Sequence, residues 1–424
     1  MKNGNRTLKF ISFLYFFIIL GGGVNMIVNG PSDFRSFNEE RSQFTNVIFL
    51  ANGGLICLLF ILHPVNIIKD VYGFQFFLLL IAVSIFGLTV SYDPIRTLTI
   101  ALFFSMNLFA CLYICSILHP VDVLKSLGLA CVISVFISFL LIFALPSYGR
   151  MTYVFPGAWQ GIFIHKNVLG KFATLSLIVS LCLRDYWTRP VWITAVVSSA
   201  ALAIGTGSAT STLATVIIVG AYIATKRRAY LMLAGLGAVI LTVFAFLYTE
   251  IIISALTEGF DKSATLSGRT TLWDLSIQYI STKPLLGYGL GAFWRTSDAQ
   301  ALRAAAGWVV PHAHNGVLEL ALNVGYAGVA AYLMLFCTLI RFAVRALNSG
   351  TQSILLLPMF VVMHTVIYAI GEANLMRPNS YTEVMFVVVL SSVFKFMVRN
   401  EGQVPPSLAS RPGLSDFRNY SSPS

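Results

Sequence analysis

The amino-acid sequence predicts an all-α polytopic membrane protein of about twelve transmembrane helices, with a small helical subdomain carried by one long loop. Three observations lead there. Of the 424 residues 57% are hydrophobic and only 11% charged, whereas a soluble domain carries roughly a quarter charged residues. The hydrophobic residues gather into runs of spanning length. The basic residues sit in short clusters between those runs, where they set orientation in a bilayer. That dispersal separates the net charge of +11 from the one-sided patches of nucleic-acid binders. The lipid bilayer is the expected partner, and nucleic acid is not.

The runs fall at 8–28, 46–62, 72–90, 96–118, 123–145, 168–184, 190–205, 210–225, 229–254, 321–341, 354–371 and 380–397. The first follows Lys2, Arg6 and Lys9 like a signal sequence, but no small-x-small cleavage site precedes the loop, so it reads as an uncleaved span. Only Gly205–Thr212, rich in glycine and small hydroxyl residues, separates the seventh and eighth runs. Such backbone suits a cavity wall better than a lipid face. Alternate loops then carry Lys69, Lys125, Arg184 with Arg189, Lys226–Arg228, Arg341 with Arg345, and Lys395 with Arg399. With these inside, both termini are cytoplasmic, and 29–45, 146–167, 255–320 and 371–379 lie outside. The expected units are a membrane bundle over 1–254, an outer loop over 255–320, further membrane helices over 321–400, and a disordered tail over 401–424. The six cysteines all fall in apolar runs without metal or redox spacing and read as buried small hydrophobes. No internal repeat of the inverted-transporter kind is visible.

The loop 255–320 is too long for a bare connection. Within it, Trp273, Ile277 and Ile280 stand at i, i+4 and i+7, predicting an amphipathic helix that Pro284 must end. Arg269 sits in the first turn, where a cation opposes the helix dipole. That placement fits a ligand contact or a solvated, capping arginine. Gly287-Tyr-Gly-Leu-Gly291 lacks the spacing and setting of a dinucleotide fingerprint and reads as a tight turn or close backbone approach. Ser297 and Gln300 suit a capping box for a helix over Ala299–Ala306 that carries Arg303. A third helix is expected from His314, entering the membrane near Asn323. His312 and His314, two apart, would point to different sides of a helix, which excludes the metalloprotease pair. With no acidic or cysteine cluster beside them, no metal and no cofactor are expected. One histidine could serve as general base near neutral pH or sit as a satisfied interfacial residue. Glu319 lies where an acid is costly unless it faces a polar cavity.

Outside that loop, residues 150–171 interleave Arg150, His165, Lys166 and Lys171 with aromatics, and Asn167 follows Lys166. The mixture suits a phosphate beside a sugar or lipid, and equally a headgroup-depth anchor. Glu372 and Arg377 share a very short loop, where a local ion pair is the simplest account. Ser91–Pro94 with Arg96 forms another short outer turn.

Taken in order, these segments carry a resemblance. Ser-Gly-Arg-Thr-Thr-Leu-Trp, Pro-Leu-Leu-Gly-Tyr-Gly, His-Ala-His-Asn-Gly-Val-Leu-Glu-Leu and Asn-Val-Gly-Tyr-Ala-Gly are similar to the O-antigen ligase and Wzy-type polymerase superfamily. Gly-Ile-Phe-Ile-His-Lys-Asn-Val-Leu-Gly and Glu-Ala-Asn-Leu-Met-Arg-Pro-Asn look most like its ExoQ-like exopolysaccharide-production proteins. The resemblance implies a GT-C-like glycosyltransferase of the bacterial inner membrane with a periplasmic catalytic loop. Its donor would be undecaprenyl-diphosphate-linked oligosaccharide, with no nucleotide sugar or metal. By match, Arg269 would bind the diphosphate and His314 would activate the acceptor hydroxyl, with His312 as its neighbour. Gln160 stands where many relatives hold an arginine, leaving Lys166, Arg150 or Arg303 for a second positive contact.

His165, Asn167, Glu319 and Glu372 complete the expected substrate-binding set. The expected role is a polymerase extending an exopolysaccharide, working beside chain-length regulator and export proteins. A ligase moving finished glycan to lipid A-core or another acceptor shares every motif. A transporter or flippase would instead need charges buried in mid-helix, and the spans are nearly charge-free.

Overall fold

The computed structural model describes residues 2–20, 43–62, 64, 72–152, 155–224, 237, 267–306, 310–376 and 381–401. Among them the regular structure is helical, and the single extended pairing is an isolated bridge between Arg150 and Trp159. In chain order the helices are α1 (Lys2–Leu20), α2 (Gln43–Leu62), α3 (Phe74–Phe86, with a 3-10 turn to Val90), α4 (Pro94–Ile117) and α5 (Pro120–Ala144). Then come α6 (Lys166–Cys182), α7 (Arg189–Gly205), α8 (Ala209–Ala224), α9 (Ser267–Thr282), α10 (Ser297–Ala306) and α11 (Gly316–Ser349). Last are α12 (Leu357–Gly371), α13 (Tyr381–Val388) and α14 (Phe394–Glu401), the last two joined through a π-turn. Each apolar run matches a helix except 229–254, which lies outside the described residues apart from 237. Among the described residues, five helical stretches are long and apolar enough to cross a membrane, and shorter apolar helices accompany them. The chain is therefore an all-α polytopic membrane protein.

Local chemistry explains where the spans begin. Pro94 and Pro120 occupy first-turn positions, where their missing N–H costs nothing. Asp93 accepts from the N–H of Arg96 at 3.0 Å, and the His119 ring accepts from Val121 at 3.4 Å. In the bundle, α6 packs extensively on α7 and also on α8. Small residues permit the approach: Gly170 of α6 faces Ser211 and Thr206, and Gly205 faces the Trp159 ring. Of the cysteines, all free, Cys111, Cys115, Cys131 and Cys182 are buried as expected, whereas Cys57 is half-buried and Cys337 exposed.

Contacts sort the connections into two opposite ends. At one end Lys9 pairs with Asp122 at 3.0 Å, Lys395 reaches the carbonyls of Cys115 and Ser116, and Asp185 accepts from Ser353 N–H at 2.7 Å. At the other, Arg295 pairs with Asp93 at 3.2 Å and the Arg96 Nε donates to Gly291 O at 2.8 Å. The long loop belongs to the second end; Lys69 and Lys226–Arg228, which the expected alternation also uses, lie outside the described residues.

That end carries its own small core, separate from the bundle. Leu272, Ile280, Phe293, Leu302, Val310 and Leu322 are buried together, with Phe293 against the Tyr288 ring at 4.9 Å. Three expectations for this region change. The buried stripe of α9 runs through Leu272, Ser276 and Ile280, while Ile277 is 53% exposed and Trp273 only partly buried. The cap of α10 is Thr296, whose Oγ1 accepts from Ala299 N–H at 3.1 Å, so no Ser297–Gln300 box forms. And α11 starts at Gly316 under an Asn315 cap that accepts from Val317 and Leu318, leaving His314 outside the helix.

The helix α11 is broken. Gly325 takes φ 62°, ψ −168° inside it, which frees carbonyls above the break and N–H groups below. The Pro284–Gly291 loop satisfies them. Tyr288 and Gly289 donate to the carbonyls of Leu322 and Asn323 at 2.9 and 3.1 Å. Tyr326 and Ala327 donate to the carbonyls of Pro284 and Leu285 at 2.7 and 3.1 Å. The expected close backbone approach is thus real, and Gly287 at φ 65° makes it possible: a Cβ there would meet Leu322 O at 2.6 Å. The 320/321 boundary between loop and membrane helices falls inside α11.

Candidate functional site

The His312–Asn315 segment forms a turn at the mouth of the broken helix. His314 adopts φ 49°, a left-handed conformation that reverses the chain before α11. The two imidazoles therefore do not diverge as they would on a helix: their centroids are 4.1 Å apart. The His312 Nδ1 accepts from His314 N–H at 3.2 Å. Both rings are half-buried.

Between them, Ala313 is fixed on both sides of its backbone. Its carbonyl accepts from the Trp273 indole at 3.0 Å, and its N–H donates to Glu319 Oε2 at 2.9 Å. Glu319 is 3% exposed. It also accepts from the Trp294 indole, 3.0 Å from each oxygen, and from the Asn323 amide at 3.3 Å. An acid at this depth is held by a ring of donors. Asn323 in turn donates to Glu319 O at 2.9 Å and accepts from Gly291 N–H at 2.7 Å. The His turn, the glutamate and the glycine loop form one hydrogen-bonded assembly.

Arg303 belongs to the frame of this assembly. Its Nε donates to Val310 O at 2.9 Å and its Nη2 to Trp294 O at 3.0 Å, with the guanidinium over the Trp294 ring. Arg269 is the third residue of α9, and its side chain lies outside the described residues. Its position is one helical turn before Trp273 and two before Ile277, on the same helix face.

That face borders a cavity of about 600 Å³ running between α9, α11 and α12. Ile277, Leu318, Tyr332, Phe336, Val366 and Leu375 give it apolar walls, and Asp274 and Asn315 add polar groups to the lining. Its size fits an organic ligand.

The second group of expected residues assembles around the start of α6. His165 caps that helix, its Nδ1 accepting from Asn167 N–H at 3.1 Å. Burial pushes its imidazole down to about 4, with the Lys166 charge adding to the effect. The ring is neutral near pH 7, so any anion contact it makes is by N–H donation. Asn167 donates to Glu372 Oε1 at 3.1 Å, joining α6 to the end of α12. Lys166 lies 3.9 Å over the Phe155 ring and makes a long 3.5 Å bond to Gly207 O, beside the glycine-rich gap. Arg150 is turned to Ile142 O at 3.2 Å, and the Gln160 amide donates to Tyr148 O at 2.9 Å. Of Lys166, Arg150 and Arg303, Arg303 is the most fully engaged, with two hydrogen bonds and a ring contact. Arg377 lies outside the described residues.

The two groups meet through residues 369–375. A Cβ on Gly316 would lie 3.1–3.2 Å from Leu375, Ala369 O and the Asn374 side chain. Sequence reasoning missed Trp294, Asn323 and the structural use of Trp273. It also missed Glu383, 1% exposed in the first turn of α13, and His364, 3% exposed in α12. An ionisable group inside an apolar run was the available signal for the last two.

Comparison with known proteins bears on the same region. The O-antigen ligase family matches residues 193–333, which include Arg269, Arg303, His312, His314, Glu319 and Gly325. The "Exopolysaccharide production protein ExoQ" of Rhizobium meliloti (strain 1021) is 27% identical over 213 residues, covering 44% of this chain. The match spans about half of that relative, 46% of its length. Together the two matches support placing the chain in the O-antigen ligase and ExoQ-like family.

Proposed function

We propose that the chain is a polysaccharide polymerase that transfers glycan from undecaprenyl-diphosphate-linked repeat units to a growing exopolysaccharide. It would sit in the inner membrane with both termini cytoplasmic and the Ser267–Gly316 cap in the periplasm. The observation that carries this reading is the apolar cavity beside the His turn. It is continuous with membrane-embedded α11 and α12, as a donor needs whose reacting end is polar and whose anchor is a hydrocarbon chain. The kinship to an exopolysaccharide production protein supports the choice of product.

In the proposed reaction, the acceptor hydroxyl attacks the anomeric carbon of the donor glycan. A carbon–oxygen bond forms there as the bond to the diphosphate oxygen breaks, and the diphosphate keeps the electron pair. His314 takes the hydroxyl proton. Arg269 neutralises the departing charge, a task for a permanently charged, two-pronged cation. Lys166 supplies a second positive contact, and Asn167, Glu372, His312 and His165 line the sugar side. A GT-C-like enzyme of this kind needs neither metal nor nucleotide sugar. Chain-length regulators and export proteins are the partners such a polymerase would have.

Purified protein supplied with lipid-linked oligosaccharide tests the reading. Arg269→Ala and His314→Gln should each abolish polymer formation while leaving membrane insertion intact. Near-normal product from Arg269→Ala, or activity of His314→Gln across pH 6 to 8, would refute the assignment. The description of the matched family as O-antigen ligase favours a second reading, transfer of finished glycan to lipid A-core. Long chains accumulating on the lipid carrier in a deletion strain would select it, and loss of long chains would select the polymerase.

A further inference from the structure

Two non-glycine residues hold left-handed backbone among the described residues, His314 at φ 49° and Met376 at φ 50°. Such a conformation crowds Cβ against the following carbonyl and needs support from its surroundings. Each of the two lies at a main-chain hydrogen bond to a buried glutamate. Glu319 accepts from Ala313, the residue before His314, at 2.9 Å. Glu383 accepts from the N–H of Met376 itself at 2.8 Å. The same Glu383 oxygen lies 3.3 Å from the Tyr332 hydroxyl on α11. Tyr332 and Leu375, the neighbour of Met376, both line the apolar cavity.

We infer that Glu383 is a positioning residue for glycan transfer: its carboxylate locks the Met376 turn and the Tyr332 ring, fixing two walls of the cavity that receives the lipid-linked donor. The inference rests on the reading of that cavity given above. Both groups held are donors, so the task needs an acceptor oxygen rather than a negative charge. Glutamine presents that oxygen, whereas leucine leaves the Met376 N–H buried without it and the left-handed turn without support. Met376 itself is 1% exposed, so cutting its side chain away would open a cavity with a cost of its own; the test therefore varies Glu383.

The experiment measures initial transfer rates from lipid-linked oligosaccharide, with the full chain in nanodiscs, for wild type, Glu383→Gln and Glu383→Leu. Glu383→Leu should lower kcat/KM for the donor about 100-fold, the loss expected when positioning shifts by about an ångström, with KM raised. Glu383→Gln should keep most of the wild-type kcat/KM. A glutamine variant as impaired as the leucine variant, or an unchanged KM in Glu383→Leu, overturns the inference. A wild type that moves no glycan from this donor sinks the donor reading instead, and melting temperatures then judge the turn. Wild type and Glu383→Gln should melt together and above Glu383→Leu; any other order overturns the role of Glu383. If Glu383→Leu yields no folded protein, Glu383→Gln decides: rates well below wild type overturn the inference, and rates near wild type uphold it.

Discussion

Replacing Glu319 with glutamine tests whether a ring of donors holds the His turn. The change keeps the side-chain volume but exchanges one acceptor oxygen for an NH2. Every contact described for the Glu319 carboxylate is with a donor: the Trp294 indole at 3.0 Å, Ala313 N–H at 2.9 Å and the Asn323 amide at 3.3 Å. Whichever way the new amide is turned, its NH2 faces Ala313 N–H or Asn323 Nδ2. The first is main chain and cannot move away. The second cannot flip without losing the bond from Gly291 N–H to Asn323 Oδ1 at 2.7 Å. One buried donor is left opposed, at a cost of about 1–3 kcal/mol, and the remaining bonds lose their charge assistance. If about 2 kcal/mol of this falls on the His turn, turnover drops roughly thirtyfold while the bundle stays folded. The assay is steady-state transfer with lipid-linked oligosaccharide, alongside thermal unfolding in detergent. A Glu319→Gln enzyme with wild-type kcat and melting temperature would refute the donor-ring account.

Two further outcomes follow from the structure. Gly287→Ala forces a Cβ at φ 65° to within 2.6 Å of Leu322 O; with strain added to lost clamp bonds, destabilisation should reach about 3 kcal/mol. Gly220→Ala, in a helix where nothing lies within 4 Å of the added carbon, should be neutral or stabilising, and equal melting of the two variants would discount the clamp. His165, ordinarily near 6.5 but held down to about 4 by burial and then by Lys166, stays neutral in the folded chain while the unfolded chain takes up a proton. Its contribution is therefore complete above about pH 6.5 and is lost as pH falls toward 4, by at most about 3 kcal/mol. His165→Asn keeps a capping side chain without titrating, so its stability should fall less steeply over that window, as read by denaturation at pH 4 to 7.

Hydropathy and basic-residue spacing were enough to place the membrane helices, because each span must satisfy its own backbone in lipid and so announces itself by length. The glycine turn was also legible, since three glycines in five residues have few other uses. What stayed hidden depended on partners far along the chain. Asn323 looks like one polar residue at a helix entrance until Gly291 and Glu319 are placed against it. The His312–His314 pairing was obscured because the helix was extended two residues too early, past the Asn315 cap. Arg150 and Arg303 carried the charge expected of ligand contacts, but carbonyls of Ile142, Val310 and Trp294 accept their hydrogen bonds. Glu383 was passed over because one acid in a long apolar run leaves the average hydropathy almost unchanged.

The interlock between the Pro284–Gly291 loop and the break at Gly325 has a practical corollary for chimaeras with related proteins. A segment swap that cuts at the nominal end of the outer loop would separate Tyr288 and Gly289 from the carbonyls of Leu322 and Asn323 that receive them. The smallest segment that can be transplanted with its backbone pairing intact runs from Pro284 through Ala327, with the first turns of a membrane helix as part of the cassette.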